Sequence, residues 1–93
     1  MMLYLVTYDI CCNKRRRKVA ELLEGYGRRV QYSVFECAMS PRKYQELRRR
    51  LRPRVKLEED SVRFYPLSGH TLEQVEAWGA GPSVTQEPGS MIV

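Results

Sequence analysis

Leu3-Tyr4-Leu5-Val6-Thr7-Tyr8-Asp9 alternates, with Leu3, Leu5 and Thr7 on one face and Tyr4, Val6 and Tyr8 on the other. Four of these seven residues are β-branched or aromatic, which predicts a strand ending at Asp9. Behind it Asn13 reads as a helix N-cap. Val19, Leu22, Leu23 and Tyr26 then follow at the i, i+3, i+4, i+7 spacing of an amphipathic helix, closed by Gly25 and Gly27. A strand–helix unit then recurs. Arg29 to Met39 is extended, and its eleven residues predict a kink, bulge or tight hairpin near Tyr32-Ser33. Ser40 as N-cap and Pro41 at the first helical position open a second helix, with Tyr44, Leu47 and Leu51 as its buried stripe and Pro53 as its stop. Ser61 to Leu67 is a strand whose Pro66 marks an edge or a terminus. Ser68-Gly69-His70 reads as a turn, and Val75 to Trp78 as a last short strand. This order predicts an α+β, ferredoxin-like βαββαβ sandwich with a short extra C-terminal strand. Both helices would cover one face of the sheet, leaving the other for a second subunit.

At 93 residues the chain holds one domain. Residues 1–78 are expected to form it. Residues 79–93, rich in Gly, Pro and Ser, are expected to be a flexible tail. A hydrophobic share of 43% with 29% charged residues fits an ordered domain rather than a disordered chain. No apolar run approaches the ~20 residues of a membrane span, and the opening residues lack a basic leader, so the expected location is the cytoplasm, with no membrane partner. Cys11, Cys12 and Cys37 are an odd set with no Cys-x-x-Cys pair, which argues against a disulfide scaffold or a zinc site and for reduced thiols.

The net charge of +5 conceals an asymmetry. Residues 1–56 hold 15 of the 16 Lys and Arg against 5 of the 11 acids, a balance of +10, whereas residues 57–93 carry −5. One basic cluster is Lys14-Arg15-Arg16-Arg17-Lys18 with Arg28 and Arg29; the other runs from Arg42-Lys43 through Arg48-Arg49-Arg50 and Arg52 to Arg54 and Lys56. Arginine dominates both, and its fork matches phosphate oxygens bidentately. Arg15, Arg16, Arg17, Lys18, Arg28, Arg29, Arg48, Arg49, Arg50 and Arg52 are therefore candidate nucleic-acid contacts. The alternative is a solvated basic surface partly neutralised by the acidic end of the chain. Cations in the first turn of a helix oppose its dipole, which hints at an anion bound there.

Asp9 is the acid best placed for chemistry: a carboxylate at a strand's C-terminal end, ahead of a basic helix start, suits a metal ion near phosphates. As a lone acid it could equally cap the following loop. A twofold dimer would supply a second copy. His70, Cys37 and Ser33 have no evident catalytic companions, and no glycine-rich phosphate loop is present. Tyr8 and Phe35 could stack on bases, although at strand spacing aromatics are more often core.

Three segments together resemble a known family. Leu3 to Ile10, Arg28-Arg29-Val30-Gln31-Tyr32-Ser33-Val34-Phe35-Glu36-Cys37, and Asp60-Ser61-Val62-Arg63-Phe64-Tyr65-Pro66-Leu67 are similar to the small CRISPR-associated Cas two family, the partner of the CRISPR integrase in spacer acquisition. The resemblance spans residues 1–78. It implies a ferredoxin-like homodimer with facing sheets and one magnesium ion shared by Asp9 of the two subunits. It implies metal-dependent endonuclease activity on single-stranded RNA or duplex DNA, with Tyr8, Arg16, Arg29 and Phe35 completing the catalytic set and Lys18 beside them. It also implies the integrase as partner, and a tail in which Val84 to Gln86, or Met91-Ile92-Val93, docks on the neighbouring subunit or the integrase.

Three functions compete. The first is a dimeric, magnesium-dependent phosphodiesterase built on Asp9. The second is a non-catalytic DNA scaffold bridging integrase dimers, with Arg48, Arg49, Arg50 and Arg52 as its surface. The third is a toxin-like RNase of related fold, such as the VapD group.

Overall fold

Burial alternates along the second half of the first strand: Val6 and Tyr8 are buried on one face and Asp9 is exposed on the other, whereas near its start Leu3, on the Asp9 face, is buried as well. The computed structural model describes residues 2–85. The elements are β1 (Met2–Asp9), α1 (Asn13–Glu24), β2 (Arg28–Gln31), β3 (Val34–Met39), α2 (Pro41–Leu51), a 3₁₀ turn (Arg52–Arg54), β4 (Ser61–Leu67) and α3 (Gly69–Leu72). The strand order is β2-β3-β1-β4, and each neighbouring pair is antiparallel. β1 and β2, joined by α1, therefore run parallel with β3 between them, the split βαβ expected of a ferredoxin-like α+β sandwich.

The core lies between the sheet and the two long helices. Val6 and Tyr8, Phe35, Cys37 and Met39, Val19, Leu22 and Leu23, and Leu47 and Leu51 form one buried cluster. Each large apolar side chain removed from water there contributes about 1.5–3 kcal/mol. Tyr44 joins three elements: its ring stacks on Tyr4 at 4.0 Å and meets Phe64 edge-on at 5.7 Å. Gly27 allows β2 to close on β3. A Cβ there would overlap the carbonyl oxygen of Glu36 and lie 2.8 Å from Cys37 Cα.

The hairpin expected at Tyr32-Ser33 forms, with a register shift between Arg29 and Gln31. Ser40 Oγ accepts the backbone N–H of Lys43 at 3.2 Å, the cap that Ser40-Pro41 predicts. Two local expectations fail. The N-cap of α1 is Cys12, not Asn13, which becomes the first helical residue. The short strand at Val75–Trp78 is absent. Ser68 Oγ caps α3 by accepting Thr71 N–H at 3.2 Å, and the N–H groups of Leu72 to Val75 bond back into this turn. Residues 75–78 therefore reach no strand partner, and the Trp78 side chain is exposed.

The helix-free face is only partly open. Leu5, Thr7, Val34 and Ala38 on it are half-buried. The backbone N–H of Thr85 donates to Glu36 Oε1 at 2.9 Å, so the chain's own C-terminal segment reaches this face. Val84 and Thr85 thus have a place within their own subunit, whereas Gln86 and Met91-Ile92-Val93 lie outside the described residues. No described helix is long and apolar enough to cross a membrane.

Candidate nucleic-acid and metal sites

The pleat separates the candidate catalytic residues. Asp9 pairs with Ser61, and Thr7 with Arg63, on the helix-free face. Together with Tyr8 and Tyr65 these residues line a shallow pocket of about 330 Å³, so Tyr8 borders this pocket as well as the groove on the helix side. Arg63 Nη1 donates to the Tyr65 hydroxyl at 2.9 Å, which raises the arginine's already high pKa and fixes its fork at the pocket. Among the described residues no three His, Cys, Asp or Glu side chains converge on one metal position. Asp9 with the nearby hydroxyls of Thr7 and Ser61 is a hard oxygen set of the kind magnesium accepts, but one chain supplies one carboxylate. The donors fit half a site, and a second copy of Asp9 would complete it.

Tyr8, Arg16, Arg29 and Phe35 gather instead on the helix side. Arg16 Nη1 donates to the Ile10 carbonyl at 2.8 Å, its Nη2 reaches Asn13 Oδ1, and its guanidinium sits 5.9 Å over the Tyr32 ring. Arg29 lies 5.3 Å over the Phe35 ring and 3.5 Å from the Tyr8 hydroxyl. Phe35 is fully buried, so it supports Arg29 from beneath and offers no surface to a ligand. These four line or underlie a groove between α1 and the β2–β3 hairpin, across the sheet from Asp9.

The other cations divide by their partners. Arg15 is held internally: Nε reaches Asp60 Oδ2 at 2.8 Å, Nη2 reaches Asp60 Oδ1 at 3.0 Å, and Nη2 also reaches Glu59 at 3.2 Å. The bidentate contact holds the Asp60 carboxyl below its ordinary range, aided by the Lys56 N–H, and raises the arginine. Arg15 thus joins α1 to the loop before β4. The basic start of α1 finds anionic or carbonyl partners within the chain at Arg15 and Arg16. Arg50 donates to the Tyr26 hydroxyl at 2.8 Å, and Arg48 lies 5.5 Å over Tyr44. Arg48, Arg49 and Arg52 rim a second groove floored by Leu51, Val55, Val62 and Phe64. Arg50 faces away from that rim, so the α2 arginines do not form one face. Arg17, Lys18 and Arg28 are exposed, with no carboxylate in ion-pair range among the described residues.

A ferredoxin-like sheet with Asp9 ending β1, a basic α1 and the Gln31–Phe35 hairpin matches a known family model. The model described as CRISPR associated protein Cas2 covers residues 2–75. The chain belongs to the Cas2 family. It is 61% identical over 93 residues, all of both chains, to a CRISPR-associated endoribonuclease Cas2 of Synechocystis sp.. It is 50% identical over 80 residues to a CRISPR-associated endonuclease Cas2 of Thermus thermophilus, covering 86% of this chain and 84% of that one. A chain solved within a partial Cas6-RT-Cas1–Cas2 complex superposes with a TM-score of 0.73 at 36% identity, covering 83% of this chain and 90% of the other.

Within this Cas2-family fold, two residues escaped the sequence reading. Residue type alone does not single out Arg63, yet its parity on β4 matches that of Asp9 on β1. Pairing the two strands in register would have found it. Asp60 gave no signal, because its partner Arg15 lies 45 residues away.

Proposed function

We propose that the chain is a homodimeric, magnesium-dependent endonuclease of CRISPR adaptation, acting on single-stranded RNA or duplex DNA in the cytoplasm with the integrase as its partner. The observation that carries this reading is Asp9, exposed at the end of β1 with Arg63 on the same face. The relatives' names supply the reaction class. Asp9 from each of two subunits would hold the magnesium, which when bound activates water and stabilises charge on a phosphodiester. Arg63, oriented by Tyr65, supplies a fixed positive fork for a non-bridging phosphate oxygen. Thr7 and Ser61 present hydroxyls to the same pocket and can orient water. Arg16 and Arg29, on the opposite face, bind the nucleic acid away from the cut rather than clamping it at Asp9.

End-labelled RNA and duplex DNA incubated with wild type and Asp9→Ala, each with magnesium and with EDTA, test this. Cleavage is expected only from wild type with magnesium. Cleavage that persists in Asp9→Ala would overturn the assignment.

A second reading is favoured by the exposed arginines of α2 and of the 3₁₀ turn that follows it. Arg48, Arg49 and Arg52 have no carboxylate partner among the described residues, which suits a scaffold that neutralises the phosphates of a duplex held against the integrase. The same dimer can serve both readings. Asp9 matters to the first alone.

A further inference from the structure

The groove between α1 and the β2–β3 hairpin has a volume of about 630 Å³, within the ~300–1,000 Å³ range of small-ligand sites. Three features set it apart from a plain basic surface. Tyr32 stands at its mouth 70% exposed, one of the most exposed large side chains among the described residues. An aromatic ring left in water at a hairpin tip contributes little to the fold. The backbone that carries the ring is nevertheless held in place, and one cation lies over the ring. The Tyr8 hydroxyl donates to the Tyr32 carbonyl at 3.4 Å, the Tyr8 N–H donates to the Ser33 carbonyl at 3.1 Å, and Arg16 backs the ring at 5.9 Å. Finally, charge changes sign along the groove. Arg29 reaches the Tyr8 hydroxyl that bonds the Tyr32 carbonyl, and Arg17, Glu21 and Glu24 follow one another along α1 at the groove's edge at i, i+4, i+7 spacing. A run of phosphates entering at the arginines would meet both carboxylates within two helical turns.

We infer that this groove is a single-nucleotide site, in which an unpaired base stacks on Tyr32 while its phosphate rests against Arg17 and Arg29. Glu21 and Glu24 stop the backbone from continuing along α1, so the site takes a strand end or one unstacked nucleotide and excludes intact duplex. Stacking on an aromatic face tolerates any base, so the selectivity is for unpaired structure over sequence. The inference rests on the nucleic-acid reading proposed above and adds to it a site on the face opposite Asp9.

Fluorescence anisotropy in EDTA tests it with three labelled probes: an oligothymidylate, a strand of abasic sites carrying the same number of phosphates, and a blunt duplex. Wild type is expected to prefer oligothymidylate to the abasic strand. Tyr32→Ala is expected to lose roughly 5- to 150-fold on oligothymidylate, the equivalent of about 1–3 kcal/mol for one stacked base. Its affinity for the abasic strand and the duplex should stay at the wild-type value, and Tyr32→Phe should bind oligothymidylate as wild type does. Unchanged oligothymidylate binding by Tyr32→Ala overturns the inference. An equal loss on all three probes also overturns it, because the ring would then only hold the hairpin. A wild type that binds duplex but does not distinguish oligothymidylate from abasic strand overturns this site alone. A wild type that binds none of the probes overturns the nucleic-acid reading with it.

Discussion

Gly27 has no room for a side chain, because its Cα faces the backbone of Glu36 and Cys37 across the β2–β3 ladder. Backbone cannot yield as a flexible side chain would. Gly27→Ala should therefore destabilise the fold by about 1–3 kcal/mol, the usual range for overpacking, as read from urea or thermal melts. An unchanged midpoint would show that the hairpin can shift. The cysteines, silent in the sequence, differ by environment. Burial pushes the Cys37 thiol up to about 12, so at neutral pH it is a protonated, enclosed group. Cys12, at the start of α1, is held below its ordinary value by the backbone N–H of Arg15. A disulfide reagent added to native protein at pH 7 should modify Cys11 and Cys12 promptly and Cys37 only after denaturant is added. Rapid loss of all three thiols would contradict the packing of Cys37.

Among the elements, the weakest local signal sits at the strongest polar contact. The segment before β4 reads as a polar connection, yet Asp60 is its anchor: the side chain is buried, gripped by Arg15 and by the Lys56 N–H. Removing one partner leaves the other charge desolvated. Asp60→Asn and Arg15→Ala should both lower the melting temperature, and Arg15→Ala should leave duplex affinity nearly intact because this arginine is already occupied. The pH dependence follows from the same contact. The carboxyls of Asp60, Glu59 and Glu46 are held below their ordinary values by Arg15, Lys56 and the Tyr26 hydroxyl, respectively the leading cause for each. A carboxyl lowered in the folded state adds stability above its unfolded pKa, and that contribution is lost as pH falls through the folded value. Melting temperature should therefore hold down to about pH 4, near the unfolded carboxyl values, and decline below it. The decline should be shallower in Asp60→Asn. Equal acid slopes in the two proteins would remove Asp60 from the account.

At the scale of the molecule, one face of the sheet is packed by helices, and the other is covered in part by the chain's own C-terminal segment. Asp9 and Arg63 lie on the second face, so pairing across it would bring two half-sites together. Light scattering at micromolar concentration should give twice the chain mass, and a monomeric mass would remove the shared metal site. The arginines of α2 and of the 3₁₀ turn after it make a separate demand. Replacing Arg48, Arg49 and Arg52 with Glu should weaken duplex binding and flatten its salt dependence by about one unit of log–log slope per lost phosphate contact. Wild-type affinity and slope in that variant would exclude the scaffold surface.

Most strands and helices were legible in the residues because their causes are local, although Cys12 rather than Asn13 caps α1 and no strand forms at Val75–Trp78. Alternation marks β1, the i, i+3, i+4, i+7 spacing marks α1, Ser40-Pro41 starts α2, and the length of Arg29–Met39 forces the hairpin. The split βαβ order then follows from chain length and connection handedness. Asp9 stood out for the same reason, as an acid ending a strong strand. Which residues share its face was not local. The register of β1 against β4 brings Arg63 beside Asp9, while the pleat sends Tyr8, Arg29 and Phe35 to the other side. Residue type places Arg15 among the nucleic-acid contacts and leaves Asp60 as the end of a polar connection. Packing of α1 against a loop 45 residues away made them one part-buried ion pair. Contacts at that separation leave no period or motif in a single chain, because they depend on where the elements meet after folding.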